Sequence, residues 1–173
     1  MSGHMTFHDA SAQKIEPGTV IGVRRRLYDH YGVMSTGARI IHYTSSRSDL
    51  GSDIRVRQTG FEAFLRGNPV FWSVQFPSRE EARQIIALRY RSSMETLPVG
   101  SSLWDILFRT GGKLFADAFL KDYDVRSPGE ILNRAESRLG ERKYNLVTRN
   151  CEHFAFWCAT GLSTSQQVEA FLR

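Results

Sequence analysis

From Thr19 to Phe76 the apolar residues recur in short β-rich runs, and from Ser78 onward they recur at helical spacing. That division constrains the fold more than any other feature of the chain. Strands in one half and helices in the other do not alternate into βαβ units, so the expectation is an α+β fold, an antiparallel β-sheet packed against helices. Glu16-Pro17-Gly18 is a turn that opens the β-half. Thr19–Leu27, Tyr31–Met34 and Arg39–Thr44 are β-runs, the last two joined through Ser35-Thr36-Gly37 as a hairpin. Ser45–Asp53 is a polar loop. In Ile54–Thr59, Ile54, Val56 and Gln58 alternate with Arg55, Arg57 and Thr59, the signature of a half-buried strand. Phe61–Leu65 is short and apolar, and Val70–Phe76 is another strand candidate.

The helical half begins at Ser78, with Ala82, Ile85, Ile86 and Arg89-Tyr90 at helical spacing and acidic residues that suit a capping box loosely. A second helix runs from Pro128 to Leu139, entered from Ser127 with proline at its first position and closed by Gly140. A third starts after Asn150 and ends near Gly161, and Ser165–Leu172 forms a short terminal helix. The apolar segment Ser101–Tyr123, around Gly111-Gly112, has two readings. It is a pair of core helices with a flexible joint, or an interfacial hairpin that lies on lipid or on another subunit, which would make a homodimer.

At 173 residues, with 41% hydrophobic and 24% charged content, the chain fits one soluble globular domain. No apolar run reaches the length of a membrane span and no signal-peptide core is present, so a cytoplasmic or peripheral membrane protein is expected. Residues 1–14 read as a disordered tail, with Met1–His4 as a cloning remnant, and 15–173 as a single domain carrying an apolar insertion at about 92–123. His4 and His8 are therefore left out of the chemistry. The net charge of +5 owes much to Arg24, Arg25, Arg26, Arg39, Arg47, Arg55, Arg57 and Arg66. Aromatic–basic interleaving and known nucleic-acid motifs are missing, so no nucleic acid is expected. The basic face reads as solvated, with an anionic membrane as the partner that would use it.

Asn150-Cys151-Glu152-His153-Phe154 places a cysteine where a helix begins. Asn150 is a good N-cap, and the unpaired N–H groups of a first turn favour thiolate over thiol. Two readings stand for Cys151: a small buried hydrophobe, or a nucleophile. Cys158 lies about two turns on, too far for a disulfide within one helix, and suits the inert role. The spacing of Cys151, His153 and Cys158 matches no zinc pattern, and neither metal nor cofactor is expected. A nucleophile needs a base. His153 stands on the same helix, pointing elsewhere, to pack in the core or bond to backbone. His30 and His42 are twelve residues apart, close to opposite one another across the hairpin, and could face the cysteine together.

Tyr28-Asp29-His30-Tyr31-Gly32-Val33, then Ile40-Ile41-His42, then Tyr144-Asn145-Leu146 running into Asn150-Cys151-Glu152-His153-Phe154, resembles the lecithin:retinol acyltransferase family, also called the H-box/NC group. The resemblance spans roughly Ile15 to Gly161. It implies a circularly permuted, papain-like (NlpC-like) fold with the nucleophile at a helix N-terminus. It implies Cys151 as nucleophile, His30 as base, His42 as third member, and supporting roles for Tyr28 and Asn150. It also implies an acyl ester of a phospholipid as substrate and a Cys151 thioester as intermediate. The acyl group would pass to water or an acceptor, with peripheral membrane contact through the basic face and residues 101–123. Met34-Ser35-Thr36-Gly37-Ala38 departs from the Gly-Asp-Gly type of turn common in the family. The alternatives are a cysteine amidase or isopeptidase of the permuted papain-like group, or a non-catalytic H-box/NC interaction module.

Overall fold

The computed structural model describes residues 4–11, 14–46, 51–94, 117, 120–143 and 150–162. The fold is α+β, built on an antiparallel sheet. Its strands are β1 (His4–Asp9), β2 (Val20–Arg24), β3 (Asp29–Ser35), β4 (Arg39–Thr44), β5 (Arg55–Gly60) and β6 (Val70–Gln75). They form one six-stranded sheet in the order β1-β6-β2-β3-β4-β5. The helices are α1 (Phe61–Leu65), α2 (Arg79–Met94), α3 (Pro128–Ser137) and α4 (Cys151–Thr160). The approach run 144–147, most of the 101–123 segment and the terminal helix 165–172 lie outside the described residues.

Strand alternation divides the buried residues between the two sheet faces. On one face Tyr31, Val33, Ile41, Tyr43, Trp72 and Val74 meet Ile131 and Ala135 of α3, and Phe154, Ala155, Cys158 and Ala159 of α4. This is the main core, and Leu120 and Tyr123, the described end of the apolar segment, belong to it. On the other face Ile21, Val23, Met34, Ile40 and Phe71 pack with Phe64 and Leu65 of α1. The short apolar Phe61–Leu65 stretch is thus a helix that covers the second face.

Three local expectations change. Residues 4–9 were expected in a disordered tail; instead they form β1, paired with β6 from His4↔Gln75 to Asp9↔Val70. Without β1, β6 would expose an edge of unpaired backbone groups, and the strand satisfies them. His8, set aside with that tail, stacks on Phe71 at 5.0 Å and shares a 2.8 Å hydrogen bond with the Ser73 hydroxyl. At the start of α2 the capping box is complete: the Ser78 N–H donates to Glu81 Oε2 at 2.7 Å and the Glu81 N–H donates to Ser78 Oγ at 3.3 Å. With Ser78 as the cap, Glu81 is the third helical residue, the one whose side chain can reach back. Ser127 and Glu130 repeat the device at α3, with Pro128 in the first turn as expected.

The helix that carries Cys151 is held at both ends. Asn150 caps its N-terminus, its side chain accepting from the His153 N–H at 3.0 Å. Gly161 ends it in the left-handed region, at φ 82°. A Cβ at Gly161 would stand 2.7 Å from the Asp122 carbonyl oxygen, so glycine also permits the close approach of the 120–124 segment.

Candidate active site

β3 and β4 pair antiparallel with Val33↔Ile41 and Met34↔Ile40. Continuing that register sets His42 opposite Gly32, so His30 is a diagonal neighbour on the same face rather than a direct partner. Diagonal side chains are farther apart and meet only if they lean together. Between them Gly32 admits the close approach of β4: a Cβ there would sit 2.6 Å from Ile40 Cγ2 and 3.1 Å from His42 Cβ. The two rings do meet, with His30 Nε2 and His42 Nδ1 2.8 Å apart in a hydrogen bond, both residues 1% exposed.

Phe64 of α1 forms one wall for the pair, its ring centroid 5.4 Å from that of His30 and 5.1 Å from that of His42. Tyr28 stands edge-on to His30 at 6.2 Å. On the far side of the pair, His42 Nε2 is 2.8 Å from Thr59 Oγ1 on β5. Thr59 and Arg57 face Ile40 and His42 across the β4–β5 ladder. Nothing in the sequence marked Thr59, which read as the polar side of an alternating strand.

Cys151 is buried, 4% exposed, in the first turn of α4. Its Sγ lies 3.9 Å from the carbonyl oxygen of Asp29, the residue before His30. The thiol therefore lies at the N-terminal end of β3, the strand end that carries His30. The thiol approaches from the main core and the rings from the α1 face. Asp29 itself is half-buried, and burial raises its carboxyl while Arg24, paired with it at 2.9 Å, pulls it down. Burial holds the Tyr31 hydroxyl strongly protonated, and the negative charges of Asp29 and Glu152 push the same way.

The neighbours of Cys151 on α4 have other tasks. His153 packs in the core, 7% exposed, and its Nδ1 is 2.7 Å from Asn150 Oδ1, so the ring also bonds to the capping side chain. Burial depresses its basicity. Cys158 is wholly buried, no disulfide joins it to Cys151, and burial pushes its thiol up to about 12. Such a group stays a neutral thiol at physiological pH. Among the described residues no cluster of His, Cys, Asp and Glu could hold a metal ion.

The family model described as lecithin retinol acyltransferase matches residues 13–164. Proteins of that name from Mus musculus and Rattus norvegicus are each 45% identical to this chain over 42 residues, 24% of its length. That match spans 18% of each relative's own length.

Proposed function

Because this chain belongs to the lecithin retinol acyltransferase family, we propose that it is a cysteine acyltransferase or phospholipase-type acyl hydrolase. Cys151 is the nucleophile, His30 the base and His42 the third member, with Tyr28 and Asn150 in support. The observation that carries this reading is the His30–His42 hydrogen bond at the strand end whose carbonyl contacts Cys151 Sγ. His42 engages Nε2 of His30, so proton exchange with the thiol runs through Nδ1. In the resting arrangement the S–H points to the Asp29 carbonyl, a long and weak contact. Rotation of the side chain redirects the proton to the imidazole.

His30 then takes the thiol proton and Sγ attacks the ester carbonyl, forming the C–S bond. The backbone N–H of Cys151, in the first turn of α4, stabilises the oxyanion. The ester C–O bond breaks, the leaving alcohol takes the proton from His30, and a thioester remains on Cys151. Water or an acceptor gives its proton to His30, attacks the thioester, and the C–S bond breaks to restore the thiol. The order of the parts, histidine strands before the cysteine helix, supports a circularly permuted papain-like arrangement.

The substrate of this reading is an acyl ester of a phospholipid. Leu27, 90% exposed at the β2–β3 turn and flanked by exposed Arg26, supports contact with an anionic lipid surface close to His30. Among the described residues no helix is long and apolar enough to cross a membrane. The test incubates folded protein with vesicles of mixed neutral and anionic phospholipid, then measures released fatty acid and the mass of the Cys151 peptide. Fatty acid release with an acyl adduct on Cys151 is expected. Absence of both sinks the proposal, and turnover of isopeptides without lipid esters would move the activity to the amidase class.

A further inference from the structure

We propose that Thr59 is a positioning residue of the site, the hydroxyl that fixes the tautomer of His42 and through it the basic nitrogen of His30. This inference rests on the catalytic reading of the histidine pair given above. The observation is a line of hydrogen bonds across three adjacent strands. His30 Nε2 to His42 Nδ1 is 2.8 Å, His42 Nε2 to Thr59 Oγ1 is 2.8 Å, and Thr59 Oγ1 donates to the Gly60 carbonyl oxygen at 3.4 Å.

Such a line can be polarised in two ways. A threonine hydroxyl has one proton and two lone pairs, and a neutral imidazole has one N–H and one lone pair. When the Thr59 proton goes to the Gly60 carbonyl, Oγ1 accepts from His42, which must then carry its proton on Nε2. His42 Nδ1 is left as a lone pair and accepts from His30 Nε2–H. That places the lone pair of His30 on Nδ1, the nitrogen that can take a proton from Cys151. In the opposite polarity Thr59 donates to His42 Nε2, His42 Nδ1 donates to His30 Nε2, and His30 carries its proton on Nδ1. The base is then lost at the atom where it is needed.

The 3.4 Å bond to the carbonyl is weak, so its bias on the resting state is modest. The demand grows when His30 becomes charged. An imidazolium donates from both nitrogens, so Nε2–H must find an acceptor on His42. His42 offers one only with its own proton on Nε2, directed to an oxygen that accepts. Thr59 supplies that oxygen, and it touches neither Cys151 nor the attacked carbonyl in the proposed mechanism.

The experiment compares wild type, Thr59→Val and Thr59→Ser. Valine keeps the branched shape and removes the oxygen, and serine keeps the oxygen. Imidazole nitrogen NMR of the full chain reads the tautomer, and pre-steady-state acylation of Cys151 by an activated ester reads the base. Expected are an Nε2–H His42 in wild type and serine variant and a mixed tautomer in the valine variant. Acylation should fall on the order of 10–100-fold for valine, the range typical of lost outer orienting partners, and stay within about threefold of wild type for serine.

Wild-type His42 carrying its proton on Nδ1 overturns the inference, whatever the variants do. So does a valine variant with unchanged tautomer and acylation. If wild type is not acylated at all, the catalytic reading fails, whereas the nitrogen spectra still decide the tautomer. If the valine variant does not fold, the wild-type spectrum and serine variant decide it.

Discussion

Replacing Asn150 by alanine should cost more than an ordinary cap. One oxygen, Oδ1, accepts both from the His153 N–H at 3.0 Å and from the His153 ring at 2.7 Å. Loss of an N-cap side chain costs about 1 kcal/mol. Leaving a buried ring N–H without its acceptor adds about 1–3 kcal/mol, since His153 is 7% exposed and water does not readily replace the partner. The sum for Asn150→Ala is about 2–4 kcal/mol, a large share of the roughly 5–15 kcal/mol that a domain has. Asn150→Asp keeps an acceptor in place and adds negative charge at a helix N-terminus, worth about 0.3–1 kcal/mol. It should stay within about 1 kcal/mol of wild type. Urea unfolding followed by tryptophan fluorescence measures both. An alanine variant within about 0.5 kcal/mol of wild type would refute the shared-acceptor argument. An aspartate variant as unstable as alanine would refute it equally, because the lost oxygen would not be the cause.

Burial lowers the His153 pKa from its ordinary 6.5, so below that value the unfolded chain takes up a proton that the folded chain refuses. The contribution to stability is full above pH 6.5 and is lost as the pH falls toward the folded-state value. Urea midpoints at acidic and neutral pH should show a shallower slope in His153→Gln; an unchanged slope rules this out. Gly161→Ala combines a φ of 82° with a Cβ 2.7 Å from the Asp122 carbonyl oxygen. It should lose about 1–3 kcal/mol in the same assay, and a neutral effect would contradict the close approach. Phe64→Ala removes a fully buried ring that walls both histidines, and should cost about 3–5 kcal/mol. Phe64→Leu should fold and yet acylate Cys151 more slowly than wild type, and unaltered acylation would mean that the wall does not orient the pair.

Much of the local structure was legible because it depends on residues close in sequence. Asn150 next to Cys151 states a capped helix start, Ser127-Pro128 states another, and Gly161 states a stop. The β-branched run of β4 and the alternation in β5 state strands, and the motifs around His30, His42 and Cys151 state the family. The capping box at Ser78 and Glu81 was legible too, once serine is counted as the cap itself. By contrast, β1 needed the edge of β6, a strand some sixty residues away whose presence no window around Phe7 reveals.

The sequence by itself determined the α+β class, the helix that presents Cys151, and the two histidines spaced on neighbouring strands. Only the tertiary structure decided their geometry. Strand register made His30 and His42 diagonal rather than opposite, and Gly32 let the Ile40 side chain and the His42 Cβ come close to β3. Strand order brought Thr59 to the far nitrogen of His42, and α1 folded Phe64 over the pair. Local propensities act within a few residues, whereas register and strand order are set by the burial of both sheet faces at once. Cys151 therefore began as a thiol at a helix start, and the sheet set it against the carbonyl of Asp29, the residue before His30.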